Sequence, residues 1–268
     1  MKYTIFAIFL LGMFAGCRDN KEDNNANPNT VTEPSVLNYT ITNVYPHNTG
    51  SYTEGLEWHD NFLYESTGNK GHSKLSKIDL ATGKDIQQVN LSKEYFGEGL
   101  TLLNGKIYQL TYEEGKCFVY DAKTFKKTGE FTYAGEGWGM TNDGKYLIMD
   151  NKLNKLYYRD PETFQVVKTI DVTDNNGPLD SINELEYVDG FIYANVFLTN
   201  YIVKIDPQTG KVIAKADFSY VLNKYAPGEV TDADINNKGA VLNGIAYDNG
   251  GKRVLVTGTL WPKMFDVN

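Results

Sequence analysis

Residue types that build disulfide frameworks and metal centres are nearly missing from this chain. It has two cysteines, Cys17 and Cys117, and three histidines, His47, His59 and His72. Two cysteines cannot make a disulfide framework. No histidine stands at ligand spacing from another histidine or a cysteine, so neither a metal nor any other cofactor is expected. With a net charge of −8 and no basic stripe, a nucleic-acid backbone is excluded as partner. There is no Gly-x-Ser-x-Gly elbow, and the glycine-rich ESTGNKGHS (65–73) follows no strand–helix signature. That argues against an elbow-type serine hydrolase and against a phosphate loop.

The N-terminal apolar run is short. MKYTIFAIFLLGMFAGC carries a basic Lys2, an apolar stretch from Tyr3 to Phe14 and small residues before Cys17. Such a run barely spans a bilayer, so residues 1–16 read as a signal peptide. The FAGC ending resembles the lipobox of bacterial lipoproteins, although Phe14 is unusual at its first position. That resemblance implies a lipid on Cys17, membrane attachment through it, and a place on a bacterial cell envelope, periplasmic or surface-facing. Ordinary secretion with cleavage nearby is the alternative. Residues 17–36 are polar and asparagine-rich and cannot bury enough surface to fold, so they read as a tether. Cys117, in the strand-like KCFVYD, reads as a core filler. Nothing in the chain calls for an oligomer, and a monomer is expected.

What is abundant is 19 Tyr, 13 Phe and 25 Gly, a composition of strands and tight turns. The segments YTEGLEW (52), FGEGLTL (96), EGWGMT (136), INELEYV (182) and LNGIAYD (242) recur along the chain. Asn104-Gly105, Asp143-Gly144 and Asp189-Gly190 follow three of them, each ahead of an alternating run, which is a hairpin signature. A second marker, Asp79, Asp121, Asp160 and Asp206, recurs at intervals of 42, 39 and 46 residues. About four strands per interval is the size of a propeller blade. The fifth unit ends at Asp266 one strand short, and NYTITNVYP (38–46) can supply that strand. The expectation is an all-β, five-bladed β-propeller over 37–268, its ring closed by the N-terminal strand completing the last blade. A β-sandwich is the competitor, but it leaves the repeating order unexplained.

The first strand of each propeller blade lines the central channel, so the five recurring segments should converge on the axis. Glu54, Glu98, Asn183 and Asn243 share one phase and form a polar ring. Tyr112 and Phe197 each stand 14 residues past a ring residue. With Tyr52, Phe96 and Trp138 they form an aromatic collar, and the group together points to a pocket. Packing between blades is the plainer role for any one of these rings.

FGEGL, GWGMTNDGKYLIMD, INELEYVDGFIYANVF, VLNGIAYD and the VTG, WPK and F of the C-terminus together resemble the plant and bacterial type of glutaminyl-peptide cyclotransferase. The resemblance runs in order over residues 44–267. It implies a metal-independent five-bladed propeller that cyclises the N-terminal glutamine of peptides and proteins to pyroglutamate, releasing ammonia. By it, Glu98 is the general acid/base and Asn183 hydrogen-bonds the substrate amide or the intermediate. Tyr52, Phe96, Tyr112, Trp138 and Phe197 wall the glutamine side chain. Glu54, a second carboxylate at the same phase, is expected to raise one pKa of the pair.

The chain departs from the family pattern at Glu54, often Gln there, at Tyr112 and Phe197, often Trp, and at Thr259, commonly Lys. Lys263 lies four residues further on. These departures support a rival reading, a non-catalytic lipoprotein that binds peptide N-termini or another polar ligand. A calcium-dependent, lactonase-like propeller is a third reading, but it needs six repeats.

Overall fold

The computed structural model describes residues 33–268. The expected leader, Cys17 and most of the tether lie outside the described residues. Among the described residues no helix is long and apolar enough to cross a membrane.

Five four-stranded antiparallel blades follow one another along the chain. From axis to rim, blade 1 runs Thr53–His59, Phe62–Thr67, Lys74–Asp79 and Lys84–Asn90. Blade 2 runs Gly97–Leu103, Lys106–Thr111, Lys116–Asp121 and Lys127–Thr132. Blade 3 runs Met140–Asn142, Leu147–Met149, Lys155–Arg159 and Val166–Asp171. Blade 4 runs Ile182–Val188, Phe191–Val196, Tyr201–Ile205 and Val212–Asp217. Blade 5 takes Leu242–Asp248, Arg253–Gly258 and Lys263–Val267 from the end of the chain. Its outer strand is Ile41–Pro46, paired antiparallel to the C-terminal strand from Ile41↔Val267 to Pro46↔Lys263. The expected closure is therefore present.

The turn chemistry explains the repeat markers. Asn104 and Gly105, and Asp189 and Gly190, all have positive φ, as a two-residue hairpin turn requires. Each marker aspartate ends or directly follows the third strand of its blade and fastens the turn to the fourth. Asp79, Asp121 and Asp160 accept from the backbone N–H and hydroxyl of Thr82, Thr124 and Thr163. Asp206 likewise accepts from Thr209 Oγ1.

The hydrophobic core has no single centre. Five buried clusters lie one at each seam between neighbouring blades, including the seam between the last blade and the first. Cys117 is fully buried in the seam between blades 2 and 3, with burial pushing its thiol pKa up. At the axis the inner strands approach so closely that a Cβ on Gly99 would stand 2.4 Å from Met140 N. In blade 4 the residue at that glycine position is Glu184. Its fully buried carboxyl accepts from Leu56 N at 3.1 Å and Ile245 N at 2.8 Å, joining blades 1, 4 and 5.

One expectation needs correction, and two features add to the sequence reading. Ser35–Val36, assigned to the tether, is a short strand added in parallel to the rim of blade 4. The N-terminal segment thus spans blades 4 and 5, with Leu37 and Tyr39 packed on the seam between them. The Asp143-Gly144 hairpin has a wider loop, because Asp143 Oδ1 accepts from the N–H groups of both Lys145 and Tyr146 and so folds the turn on itself. Blade 4 is also followed by an unexpected insertion with two short helices, α1 (Val221–Tyr225) and α2 (Asp232–Lys238).

Candidate active site

The inner strands bring Glu54, Glu98 and Asn183 to one end of the axis, with Trp138 at the same phase in blade 3. The backbone repeats also set the collar. In blade 2 Tyr112 N donates to Phe96 O at 3.0 Å, and in blade 4 Phe197 N donates to Ser181 O at 2.8 Å. In blade 1 the equivalent bond runs from Gly68 N to Tyr52 O at 2.8 Å. Gly68 thus holds the place of Tyr112 and Phe197, and the ring of Phe96 fills the space above it.

Five rings make an unbroken chain of contacts. Tyr52 meets Phe96 at 5.9 Å, Phe96 meets Tyr112 at 5.9 Å, Tyr112 meets Trp138 at 6.3 Å and Trp138 meets Phe197 at 5.2 Å between centroids. Three of these four contacts are edge-on, the geometry that aromatic quadrupoles favour. They enclose a cavity of about 410 Å³. Tyr52, Glu54, Phe96, Glu98, Tyr112, Trp138, Asn183 and Phe197 all line it. Asn243 stands behind, its Nδ2 donating to Glu54 Oε2 and to Thr53 O.

The polar groups here are desolvated and only partly satisfied. Glu98 is buried, and its carboxyl has no hydrogen-bond partner among the described residues. Burial raises its pKa well above the usual carboxylate range, and the charges of Glu54, Asp150, Glu114 and Glu136 add to the shift. Burial lifts Glu54 to about 8, against the pull of the Asn243 hydrogen bond. The expected mutual effect of the two glutamates is present on Glu98, but desolvation is the larger cause. The buried Asn183 Oδ1 also lacks a partner, which leaves it free for a donor from a bound molecule. Trp138 is anchored by its Nε1–H, which donates to Glu136 Oε2 at 2.9 Å.

Sequence reasoning missed four residues. Lys70 and Glu113 line the cavity from loops that have no fixed repeat phase, whereas Lys152 stands 14 residues past Trp138, the phase of Tyr112 and Phe197. Asp150 lies behind it, fully buried, its Oδ1 accepting from Gly139 N at 2.9 Å and its Oδ2 without a partner. Burial raises its pKa well above the usual range. Thr259, one of the departures from the family pattern, is buried and donates to Thr53 O at 3.1 Å. Lys263 points elsewhere, toward Glu229 at 3.5 Å. Among the described residues no group of three or more His, Cys, Asp or Glu is arranged to hold a metal ion.

An aromatic cage around a buried carboxyl and a free amide can hold a small polar side chain, orient it and exchange a proton with it. A family model described as glutamine cyclotransferase matches residues 10–268. The chain is 35% identical over 226 residues to a glutaminyl-peptide cyclotransferase of Arabidopsis thaliana, covering 83% of this chain and 68% of that protein. It is also similar to the solved structure of Myxococcus xanthus glutaminyl cyclase. That match has a TM-score of 0.80 at 33% identity and covers 88% of this chain and 98% of the other.

Proposed function

The chain belongs to the glutamine cyclotransferase family, and we propose that it closes the N-terminal glutamine of peptides and proteins to pyroglutamate with Glu98 as general acid/base. The observation that carries this reading is the convergence of a buried Glu98, its pKa raised by burial, and an unpartnered Asn183 Oδ1 inside one aromatic cavity. The substrate's α-amine attacks the carbonyl carbon of its own side-chain amide, closing a five-membered ring. That amine has a pKa of roughly 7.7–8.0, so part of it is already neutral near pH 7. Proximity is built into the substrate, and the collar needs only to select the folded rotamer.

Loss of ammonia is the harder step, because an unprotonated amide nitrogen is a poor leaving group. Glu98 gives its proton to that nitrogen as the C–N bond breaks and recovers one from the attacking amine, so the exchange is proton-neutral. Such acid–base assistance contributes roughly 10²–10⁴-fold. Asn183 accepts from the substrate amide, or donates to the oxygen that becomes negative in the tetrahedral intermediate. Cys17, in the sequence reading, ties the domain to a membrane through lipid.

The test is incubation with a Gln-initiated peptide, following ammonia release and the mass loss of one ammonia, with Glu98→Gln in parallel. Turnover that Glu98→Gln lowers by at least about 100-fold is the expected result. Peptide binding without turnover in the wild-type protein would overturn it in favour of a binding protein.

A further inference from the structure

The rim of the cavity is divided by charge. On the blade 1–2 side, Lys70 Nζ is paired with Glu114 Oε1 at 2.7 Å, and Glu113 stands beside them. One lysine against two glutamates leaves that sector acidic. On the blade 3–4 side the only charged lining residue is Lys152, which has no acidic partner among the described residues. Its ammonium lies 5.7 Å from the centroid of the Trp138 ring. Leu153 and Leu198, the residues that follow the lining residues Lys152 and Phe197 in the chain, are 50% and 69% exposed. This sector is built rather than loose. Lys152 O accepts from Ser181 N at 2.6 Å, and Ser181 O accepts from Phe197 N at 2.8 Å, stitching the loops of both blades. Lys152, Ser181 and Leu198 all hold positive φ, a conformation that a residue with a side chain keeps only where its surroundings enforce it.

We propose that this sector is a subsite for the second residue of the substrate and that it selects an acidic one; the inference rests on the cyclotransferase reading. The substrate's α-amine is drawn to the acidic side of the rim and to Glu54 and Glu98 beneath it. The chain beyond the first residue then leaves on the opposite side, over Leu153 and Leu198. A glutamate or aspartate there lays its methylene stem on the leucines and its carboxylate on Lys152. A lysine or arginine meets a like charge.

The experiment compares kcat/KM for amidated Gln-X-Ala peptides with X = Glu, Lys, Leu and Ala. Wild type is expected to prefer Glu over Lys by about threefold to tenfold at low ionic strength, the ratio shrinking as salt is added. Lys152→Met brings the ratio close to one, and Lys152→Glu reverses it. Each variant's ratio is taken on that variant, so a general loss of activity divides out. Equal rates for Glu and Lys, a ratio untouched by Lys152→Met, or a Leu peptide ahead of Glu in wild type would each overturn the subsite. No turnover of any peptide, Gln-Ala-Ala included, would instead overturn the cyclotransferase reading, and the subsite with it.

Discussion

Asn243 Nδ2 donates to Glu54 Oε2 at 2.8 Å across the seam where the last blade meets the first. The bond fixes Glu54 within reach of Glu98, and the Glu54 charge is the second cause of the raised Glu98 pKa, after burial. If Glu98 works as an acid, activity falls as pH rises through the titration of this pair. Glu54→Gln keeps the shape and removes the charge. The basic limb of the kcat profile is expected to move to lower pH in that variant. An unmoved limb would mean that Glu54 does not set the acidity of Glu98.

Gly68 supports the collar by lacking a side chain. A Cβ there would stand 2.1 Å from Phe96 Cε1 and 2.3 Å from its Cζ. Gly68→Ala therefore tilts the Phe96 ring, which touches both Tyr52 and Tyr112. A displacement of about 1 Å in positioning groups can cost roughly 100-fold. The expected result is a fall in kcat/KM of about tenfold to 100-fold with the thermal midpoint little changed, read by steady-state kinetics and calorimetry.

Asp150 makes stability depend on pH. Its folded pKa is raised above the unfolded value of 3.8. The stability contributed by the neutral acid is thus present below that value and lost as pH rises toward the folded pKa. Asp150→Asn imitates the neutral form, so its denaturation midpoint is expected to gain on wild type as pH increases above about 4. Asp150→Ala takes away the acceptor for Gly139 N and is expected to cost about 1–3 kcal/mol. The three urea-unfolding curves, repeated across pH, check both statements.

His47 and Glu65 form a buried ion pair at 2.9 Å. His47 Nδ1 lies 2.7 Å from Trp261 O, so both ring nitrogens face acceptors and the ring is held as imidazolium. Burial opposes that charge, but Glu65 and the Trp261 carbonyl outweigh it and raise the His47 pKa above 6.5. Burial likewise opposes the Glu65 carboxylate, but His47, Thr53 and Ser51 bring its pKa below 4.5. The His47 contribution is lost as pH rises through its folded pKa, and the Glu65 contribution as pH falls through its own. The stability gap between wild type and His47→Gln should be widest between pH 4.5 and 6.5, at about 3–5 kcal/mol. A gap that is flat from pH 4 to 9 would contradict the charged state.

Repeats made the fold and most of the site legible before any coordinates. Glu54, Glu98 and Asn183 were found by phase, because an inner strand can place a residue on the axis at only one position per blade. Lys70 and Glu113 were not, because they come from loops, where sequence distance says little about direction; Asp150 and Lys152 were not, because blade 3 carries Trp138 in place of a polar residue at the phase from which they are counted. The helical insertion escaped for a related reason. Of its two helices only α1 buries a residue, Val221, so there is no apolar stripe to read. The capping box of Thr231 and Asp234 was the available sign. The strand at Ser35–Val36 is two residues long in a polar context, below what alternation can reveal.

Closure of the ring by its two ends has a consequence for synthesis. Thr42 meets the backbone of Asp266 across 224 positions of sequence, so one of the first strands to be translated waits for the last. Until Lys263–Val267 is in place, blade 5 lacks a strand and Ile41–Pro46 has nothing to pair with. The ring thus behaves as a clasp: four blades can form in sequence, but the fifth closes only when these two distant strands meet.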